Sequence, residues 1–134
     1  MDAAVRATVR SRAEERCEYC RLPESAVPAL SFHVERIVAQ QHRSDDSLDN
    51  LALACDRCNA YKGPNLSSLD PETGAVVELF HPRRDPWRDH FQFDGATIVG
   101  LSPKGRATVR LLMMNAPRRV ELRQTWLANG NALA

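Results

Sequence analysis

The spacing of apolar residues predicts a helix and then a strand at the start of the chain. Residues 2–15 place Val5, Val9 and Ala13 on one face at helical spacing, with arginines on the opposite face. The stretch LSFHVERIVA, residues 30–39, is rich in β-branched and aromatic residues and therefore predicts a strand.

The middle of the chain predicts a second strand followed by a short helix. A polar loop comes after the first strand, and LALA at residues 51–54 predicts a short buried strand. Residues 56–63 predict one or two helical turns, because Gly63 and the proline after it stop a helix. The predicted order is strand, loop, strand and short helix.

The second half predicts a turn-rich stretch, strands and two closing helices. Residues 64–77 are rich in turn residues, and residues 75–80 predict a strand. Residues 90–101 predict a hairpin that turns at Asp94-Gly95. Two helices are predicted after it, over residues 102–116 and 117–130, with these apolar residues as buried contacts: Leu111, Leu112, Leu122, Trp126 and Leu127.

Length and composition fit one globular α+β domain spanning residues 1–134. The chain is 43% hydrophobic and 26% charged, which is an ordinary globular composition. No apolar run is long enough to cross a bilayer, and the N-terminus lacks the apolar core of a signal peptide. We therefore expect a cytoplasmic protein with no membrane partner.

The net charge of +1 neither requires nor excludes a nucleic-acid partner. Of the 18 basic residues only Lys62 and Lys104 are lysines, and the planar fork of arginine suits phosphate. Arginines cluster near the N-terminus, within residues 81–90 and at residues 118–119. The 17 acidic residues balance them, so ion pairs and solvated helix faces are the plainer interpretation of each cluster.

The four cysteines form two C-x2-C pairs, Cys17 with Cys20 and Cys55 with Cys58. Zinc binds four thiolates tetrahedrally, and each pair supplies two of them from one tight turn. In a reducing compartment this pattern favours a structural zinc site over disulfides. An iron centre, two disulfides and a redox dithiol are the alternatives that the spacing leaves open.

The first cysteine pair, the polar strand and DNLALACDRCNAYKG at residues 49–63 together resemble the HNH endonuclease family. The later stretches GPNLSSLDPETGAVVELFHPRRDPWRDHF and DGATIVGLSPKGRATVRLLMMN are similar to HNH proteins of bacteria. The resemblance implies a ββα-metal, treble-clef-like core over residues 17–63, stapled by zinc on the four cysteines. Residues 64–134 are then a C-terminal extension that packs on this core. The implied activity is hydrolysis of phosphodiester bonds in DNA with Mg²⁺ or Mn²⁺.

The resemblance also implies roles for individual polar residues. Glu35 falls on the acidic ligand of the catalytic metal, and Asn59 falls on the last metal-holding position of the motif. Asn50 falls on the asparagine that braces the loop by hydrogen bonds to the backbone. A carboxylate and an amide oxygen are hard ligands that suit Mg²⁺ or Mn²⁺. Such an ion neutralises the charge that builds on a phosphate.

Arg36 stands where the family has the histidine that acts as general base. Arginine is only a donor and is protonated at every working pH, so it cannot take a proton from water. It can still grip a phosphate with two hydrogen bonds. Because loss of a general base typically lowers the rate ~10²–10⁴-fold, three hypotheses remain open. They are a weak nuclease, a nucleic-acid-binding module without catalysis, and a zinc-stabilised interaction domain.

Two histidines lie close enough in sequence to replace the base. His33 precedes Glu35 by two residues, so both side chains share a face of a regular strand. It is a candidate ligand, water-orienting group or replacement base, and the alternative is a packed histidine. His42 lies in the polar loop, where the alternative is a solvent-facing residue. His81 and His90 are predicted to be surface or structural residues.

The candidate phosphate contacts are basic residues in or after the motif. For Lys62 the alternative is that it complements the end of the short helix. For the others the alternative is an ion pair on the surface. The predicted nucleic-acid-binding set is Arg36, Lys62, Arg83 and Arg84.

Overall fold

The chain folds into short helices and three two-stranded antiparallel hairpins, and a computed structural model describes residues 1–27 and 29–133. The helices are α1 (Ala3–Arg12), α2 (Asp56–Lys62), α3 (Trp87–His90), α4 (Pro103–Leu111) and α5 (Pro117–Ala128). The strands are β1 (His33–Arg36), β2 (Leu51–Ala54), β3 (Ser67–Leu69), β4 (Val76–Glu78), β5 (Phe91–Asp94) and β6 (Thr97–Gly100). The hairpins are β1–β2, β3–β4 and β5–β6. The predicted α+β class is confirmed.

The first hairpin and α2 form the predicted ββα unit. Glu35 lies opposite Ala52 and Arg36 lies opposite Leu51 in the antiparallel register. All four residues of β2 are buried, because this strand packs between β1, α1 and α2. Helix α2 begins after Cys55 and ends at Gly63, whose φ of 50° lies in the region that glycine tolerates best.

The first strand and the first helix are shorter than the sequence pattern predicts. Strand β1 ends at Arg36 because the next two residues turn toward Asn50: the Ile37 amide donates to its carbonyl and the Val38 amide to its side chain. Helix α1 ends at Arg12 rather than at residue 15. Glu14 and Glu15 have φ values of 55°, which a right-handed helix excludes.

Two elements of the second half are absent from the sequence prediction. Strand β3 lies inside the stretch that turn residues dominate, and its polar, largely exposed residues carry no apolar alternation. Helix α3 spans four residues, which is too short to show a helical period. The predicted hairpin of β5 and β6 is confirmed, but its turn is Gly95-Ala96 because Asp94 still pairs with Thr97.

The buried apolar residues form one cluster that draws on both halves of the chain. It includes Val9 from α1, Tyr19 beside the first cysteine pair, Leu53 from β2, and Phe91 and Ile98 from the third hairpin. Helix α4 fits closely against α3, because a Cβ on Gly105 would clash with the His90 carbonyl oxygen. Among the described residues, no helix combines the length and apolarity needed to span a membrane.

The predicted apolar face of the last helices is only partly correct. Leu112 is fully buried, but Leu111, Leu122 and Trp126 are half-buried and Leu127 is exposed. The buried residues of α5 are instead Arg119 and Arg123. A helical period assigns burial to apolar residues, so it cannot reveal a helix whose inward face is cationic.

Candidate functional site

The four cysteines meet in one buried cluster. Their Sγ atoms all lie within 4.8 Å of one another, and the Sγ atoms of Cys20 and Cys55 are 3.8 Å apart. A tetrahedron with metal–sulfur bonds of ~2.3 Å has sulfur–sulfur edges of about 3.8 Å. All four thiols are free, which contradicts the alternative of two disulfides. The donor set and its spacing therefore fit a zinc ion.

In each cysteine pair a backbone N–H is directed at the sulfur of the first cysteine. The backbone N–H of Cys20 points at Sγ of Cys17 at 3.5 Å, and that of Cys58 points at Sγ of Cys55 at 3.4 Å. Burial raises the pKa of the Cys17 thiol well above its ordinary value. Ionised thiols in this buried place therefore need a cation beside them, and zinc supplies one.

Glu35 forms a buried ion pair with Lys62. Glu35 is 8% exposed and Lys62 is 1% exposed. Lys62 Nζ lies 3.7 Å from Oε2 of Glu35 and donates to the Ile37 carbonyl at 2.7 Å, while the Tyr19 hydroxyl donates to Oε1. Burial raises the pKa of Glu35, and Lys62 and Tyr19 oppose that rise. This carboxylate ties the first cysteine pair to α2.

The position of Lys62 argues against its predicted contact with a phosphate. Its ammonium group is buried and already holds a carboxylate and a carbonyl oxygen. A phosphate would have to displace both partners, so the structure gives Lys62 an internal role. Lys62 is the last residue of α2, as the alternative of a lysine at the helix end requires. Its ammonium group nevertheless contacts Glu35 in β1 and the carbonyl oxygen of Ile37.

Asn50 is buried and braces the loop between the two strands. Its Oδ1 accepts from the Val38 amide at 2.9 Å. Its Nδ2 donates to the carbonyl oxygens of Val38 at 3.0 Å and Asp45 at 2.8 Å. These three hydrogen bonds fix the shape of the loop immediately after Arg36.

Arg36, at the position that the sequence resemblance assigns to a general base, forms an ion pair. Its Nε lies 2.5 Å from Oδ1 of Asp46, and both side chains are partly exposed. This hydrogen bond raises the pKa of Arg36 above its ordinary value. The guanidinium therefore stays protonated, and Asp46 holds it beside the braced loop.

Asn59 is a residue of α2, and Glu35 contacts the same helix through Lys62. Asn59 is half-buried and lies one helical turn before Lys62, which contacts Glu35. Both carboxylate oxygens of Glu35 are already engaged, one by Tyr19 and the other by Lys62.

The four histidines occupy different environments. His33 is exposed at the start of β1, opposite Ala54. His42 Nε2 lies 2.9 Å from the Pro64 carbonyl oxygen, so Nε2 carries the proton and donates. His81 accepts a hydrogen bond at Nδ1 from the Arg83 amide, and burial lowers the pKa of His81. The Nδ1 atom of His90 lies 2.7 Å from the Ser102 hydroxyl.

The predicted phosphate-binding arginines differ in how accessible they are. Arg83 pairs with the buried Glu18, and burial lowers the pKa of Arg83 to about 10. Arg84 is exposed. With His81 and Arg43, these arginines line a cleft of about 440 Å³ beside the loop that Asn50 braces.

Arg43 is a functional candidate that the sequence analysis missed. It lies in the polar loop after β1, and its guanidinium is 3.6 Å from Asp45. No apolar pattern marks this loop, so only its charge and its place between the two strands could have indicated Arg43. It faces the same cleft as Arg84, which comes from the extension.

Residues 17–65 match a family model described as HNH endonuclease. No curated protein and no solved structure matches the chain. The match covers both cysteine pairs, both strands of the first hairpin and α2, so the resemblance found in the sequence is confirmed for this stretch. It indicates a nuclease or nucleic-acid-binding function.

Proposed function

Because residues 17–65 match the HNH endonuclease model, we propose that this protein binds DNA and hydrolyses its phosphodiester bonds only slowly. The observation that carries the proposal is the ion pair of Arg36 with Asp46 in the position of the general base. A guanidinium held in its protonated form cannot take the proton of the attacking water. Cleavage therefore proceeds ~10²–10⁴-fold more slowly than with a histidine at this position.

The state of Glu35 supports slow cleavage for an independent reason. Glu35 and Asn59 are the residues that would hold Mg²⁺ or Mn²⁺, which would stabilise the charge on the phosphate. Lys62 and Tyr19 already occupy both oxygens of Glu35. A divalent ion has to compete with a buried ammonium group for the same carboxylate, which weakens its binding.

DNA binding is supported by the arginines around the cleft. Arg36, Arg43 and Arg84 all keep part of their guanidinium groups accessible to solvent. Arg43 lies in the loop that Asn50 braces, Arg36 directly precedes that loop, and Arg84 lines the cleft together with Arg43. Guanidinium groups bind phosphate with two parallel hydrogen bonds, and such contacts are independent of base sequence.

A gel-shift titration tests the binding part of the proposal. The protein should retain a duplex at low salt, and affinity should fall steeply between about 50 and 200 mM salt as counterions are released. Arg84→Ala should weaken binding and reduce the salt slope by about one phosphate contact. Arg118→Ala, an exposed arginine that pairs with Glu121 on α5, is the matched control.

Plasmid nicking with Mg²⁺ and with Mn²⁺ tests the catalytic part. We expect slow nicking that Glu35→Ala abolishes. Retention of DNA without nicking in either metal would leave the binding module as the function. Absence of retention at low salt would leave the interaction domain, and the proposal would be wrong.

A further inference from the structure

The most deeply buried residues of helix α5 are arginines, although Leu122 also packs against the core. Arg119 is 5% exposed and Arg123 is 0% exposed, and they are the buried residues of this helix. They are four residues apart, so they lie one above the other on one helix face. A buried guanidinium needs a negative partner to offset its desolvation.

Arg119 finds part of that compensation beside the second cysteine pair. Its Nη2 lies 2.6 Å from Oδ1 of Asp56, the first residue of α2. Burial lowers the pKa of Arg119, but the negative charge of Cys55, the bond to Asp56 and the charge of Cys20 more than offset it. Because Asp56 directly follows Cys55, this bond places Arg119 beside the second cysteine pair.

Arg123 has only neutral hydrogen-bond acceptors within residues 1–27 and 29–133. Its Nε donates to the Ala96 carbonyl at 2.6 Å, and its Nη2 donates to the Met114 carbonyl at 2.7 Å and the Asn115 side chain at 3.2 Å. None of these groups carries a charge. Within the same residues, Nη1 of Arg119 and Nη1 of Arg123 are buried without a hydrogen-bond partner.

Arg123 follows Arg119 by four residues on the same face of α5, the face from which Arg119 reaches Asp56, the residue after Cys55. Burial lowers the pKa of Arg123, and the sulfurs of Cys20, Cys58 and Cys55 act against that fall when they are ionised. Neutral thiols would leave this guanidinium buried and uncompensated. Four thiolates around one divalent zinc ion carry a net charge of −2, which supplies negative charge beyond the one carboxylate that pairs with Arg119.

We propose that Arg119 and Arg123 form a cationic clamp that recognises the negative charge of the zinc-loaded cysteine cluster, so that docking of α5 and zinc binding reinforce each other. The clamp explains why a helix with a cationic inner face packs against the core. It lies outside the HNH-matched stretch and stands independently of any nuclease activity.

The test is the zinc affinity of purified full-length protein, measured by competition with a chromophoric chelator under reducing conditions. Arg123→Gln keeps hydrogen-bond donors without the charge, whereas Arg123→Lys keeps the charge with fewer donors. We expect Arg123→Gln and Arg123→Met to weaken zinc binding ~10–100-fold and Arg123→Lys to stay much closer to wild type. Arg118→Met, on the exposed face of α5, should not change the affinity.

A packing role predicts a different order of variants. If Arg123 acted only through hydrogen bonds and shape, the lysine variant would be as weak as methionine and glutamine would be the milder change. That order, or unchanged zinc affinity in Arg123→Gln, would overturn the proposal. Should Arg123→Gln fail to fold with zinc, Arg119→Gln against Arg119→Lys gives the same comparison.

Hydrogen exchange supplies a readout that does not depend on affinity. In the wild-type protein, zinc should protect the amides of residues 117–128, and in Arg119→Gln this protection should be smaller. Equal protection of α5 with and without zinc would contradict the coupling.

Discussion

Substitution of Lys62 by methionine tests whether the Glu35–Lys62 pair holds the core together. At an effective dielectric constant of ~20, two charges at the observed separation of 3.7 Å attract each other by about 4.5 kcal/mol. Removing one member of a buried pair leaves the other uncompensated and typically costs about 3–5 kcal/mol. That is a large part of the ~5–15 kcal/mol that stabilises an ordinary domain.

The loss should depend on pH, because Glu35 can become neutral. The pKa of Glu35 in the folded protein is raised above its value in the unfolded chain. The stability that Glu35 contributes is therefore present below the unfolded pKa and is lost as the pH rises through the folded pKa. Without Lys62 the folded pKa rises further. The cost of Lys62→Met should therefore be smaller near pH 5.5 and larger near about pH 8.

Urea unfolding at fixed free zinc measures the effect as a difference from wild type at each pH. Lys104→Met is the control, since Lys104 pairs with Asp85 at 3.0 Å in a more exposed place and should cost under ~1 kcal/mol. The double variant Glu35→Gln with Lys62→Met should recover much of the loss and should show little pH dependence. A Lys62→Met cost under ~1 kcal/mol, constant with pH, would refute the buried pair.

Two further substitutions test the loop brace and the close contact of α4. Asn50→Ala leaves the Val38 amide and two carbonyl oxygens without partners and should cost at least about 2 kcal/mol in urea unfolding. Asn50→Asp should cost at least as much, because its buried carboxylate has no donor for the two carbonyl oxygens, and unchanged stability of either variant would contradict the brace. Gly105→Ala should lower the melting temperature by the equivalent of about 1–3 kcal/mol, because its Cβ meets the His90 carbonyl. Helix propensity alone predicts the opposite, a gain of ~1 kcal/mol, so a stabilised variant would show that the clash is absent.

Local signals predicted the ββα core well. Strand β2 matches its apolar tetrad, and α2 ends at the glycine that the sequence indicated. The cysteine cluster followed from spacing, because two C-x2-C turns present four sulfurs to one ion. These features depend on residues that are neighbours in the chain.

The contacts that modify the candidate site join residues far apart in the chain, so no periodic pattern reveals them. The ammonium group of Lys62 looked available for a phosphate until the fold placed it beside Glu35. Arg83 belonged to a basic segment, yet it is held by Glu18 next to the first cysteine pair. The partner of a charged residue is set by tertiary structure and cannot be read from the local sequence. The fold was therefore easier to predict than the ion pairs of the candidate site.

Exchange of Arg36 for histidine tests the central claim most directly. Arg36→His introduces an imidazole beside Asp46, which can orient it as it now holds the guanidinium. In plasmid nicking with Mg²⁺ or Mn²⁺, at equal DNA occupancy, we expect Arg36→His to cut about 10²-fold faster than wild type or more. Wild-type protein that nicks as fast as Arg36→His, with Glu35→Ala inactive in both backgrounds, would contradict the claim that Arg36 limits cleavage.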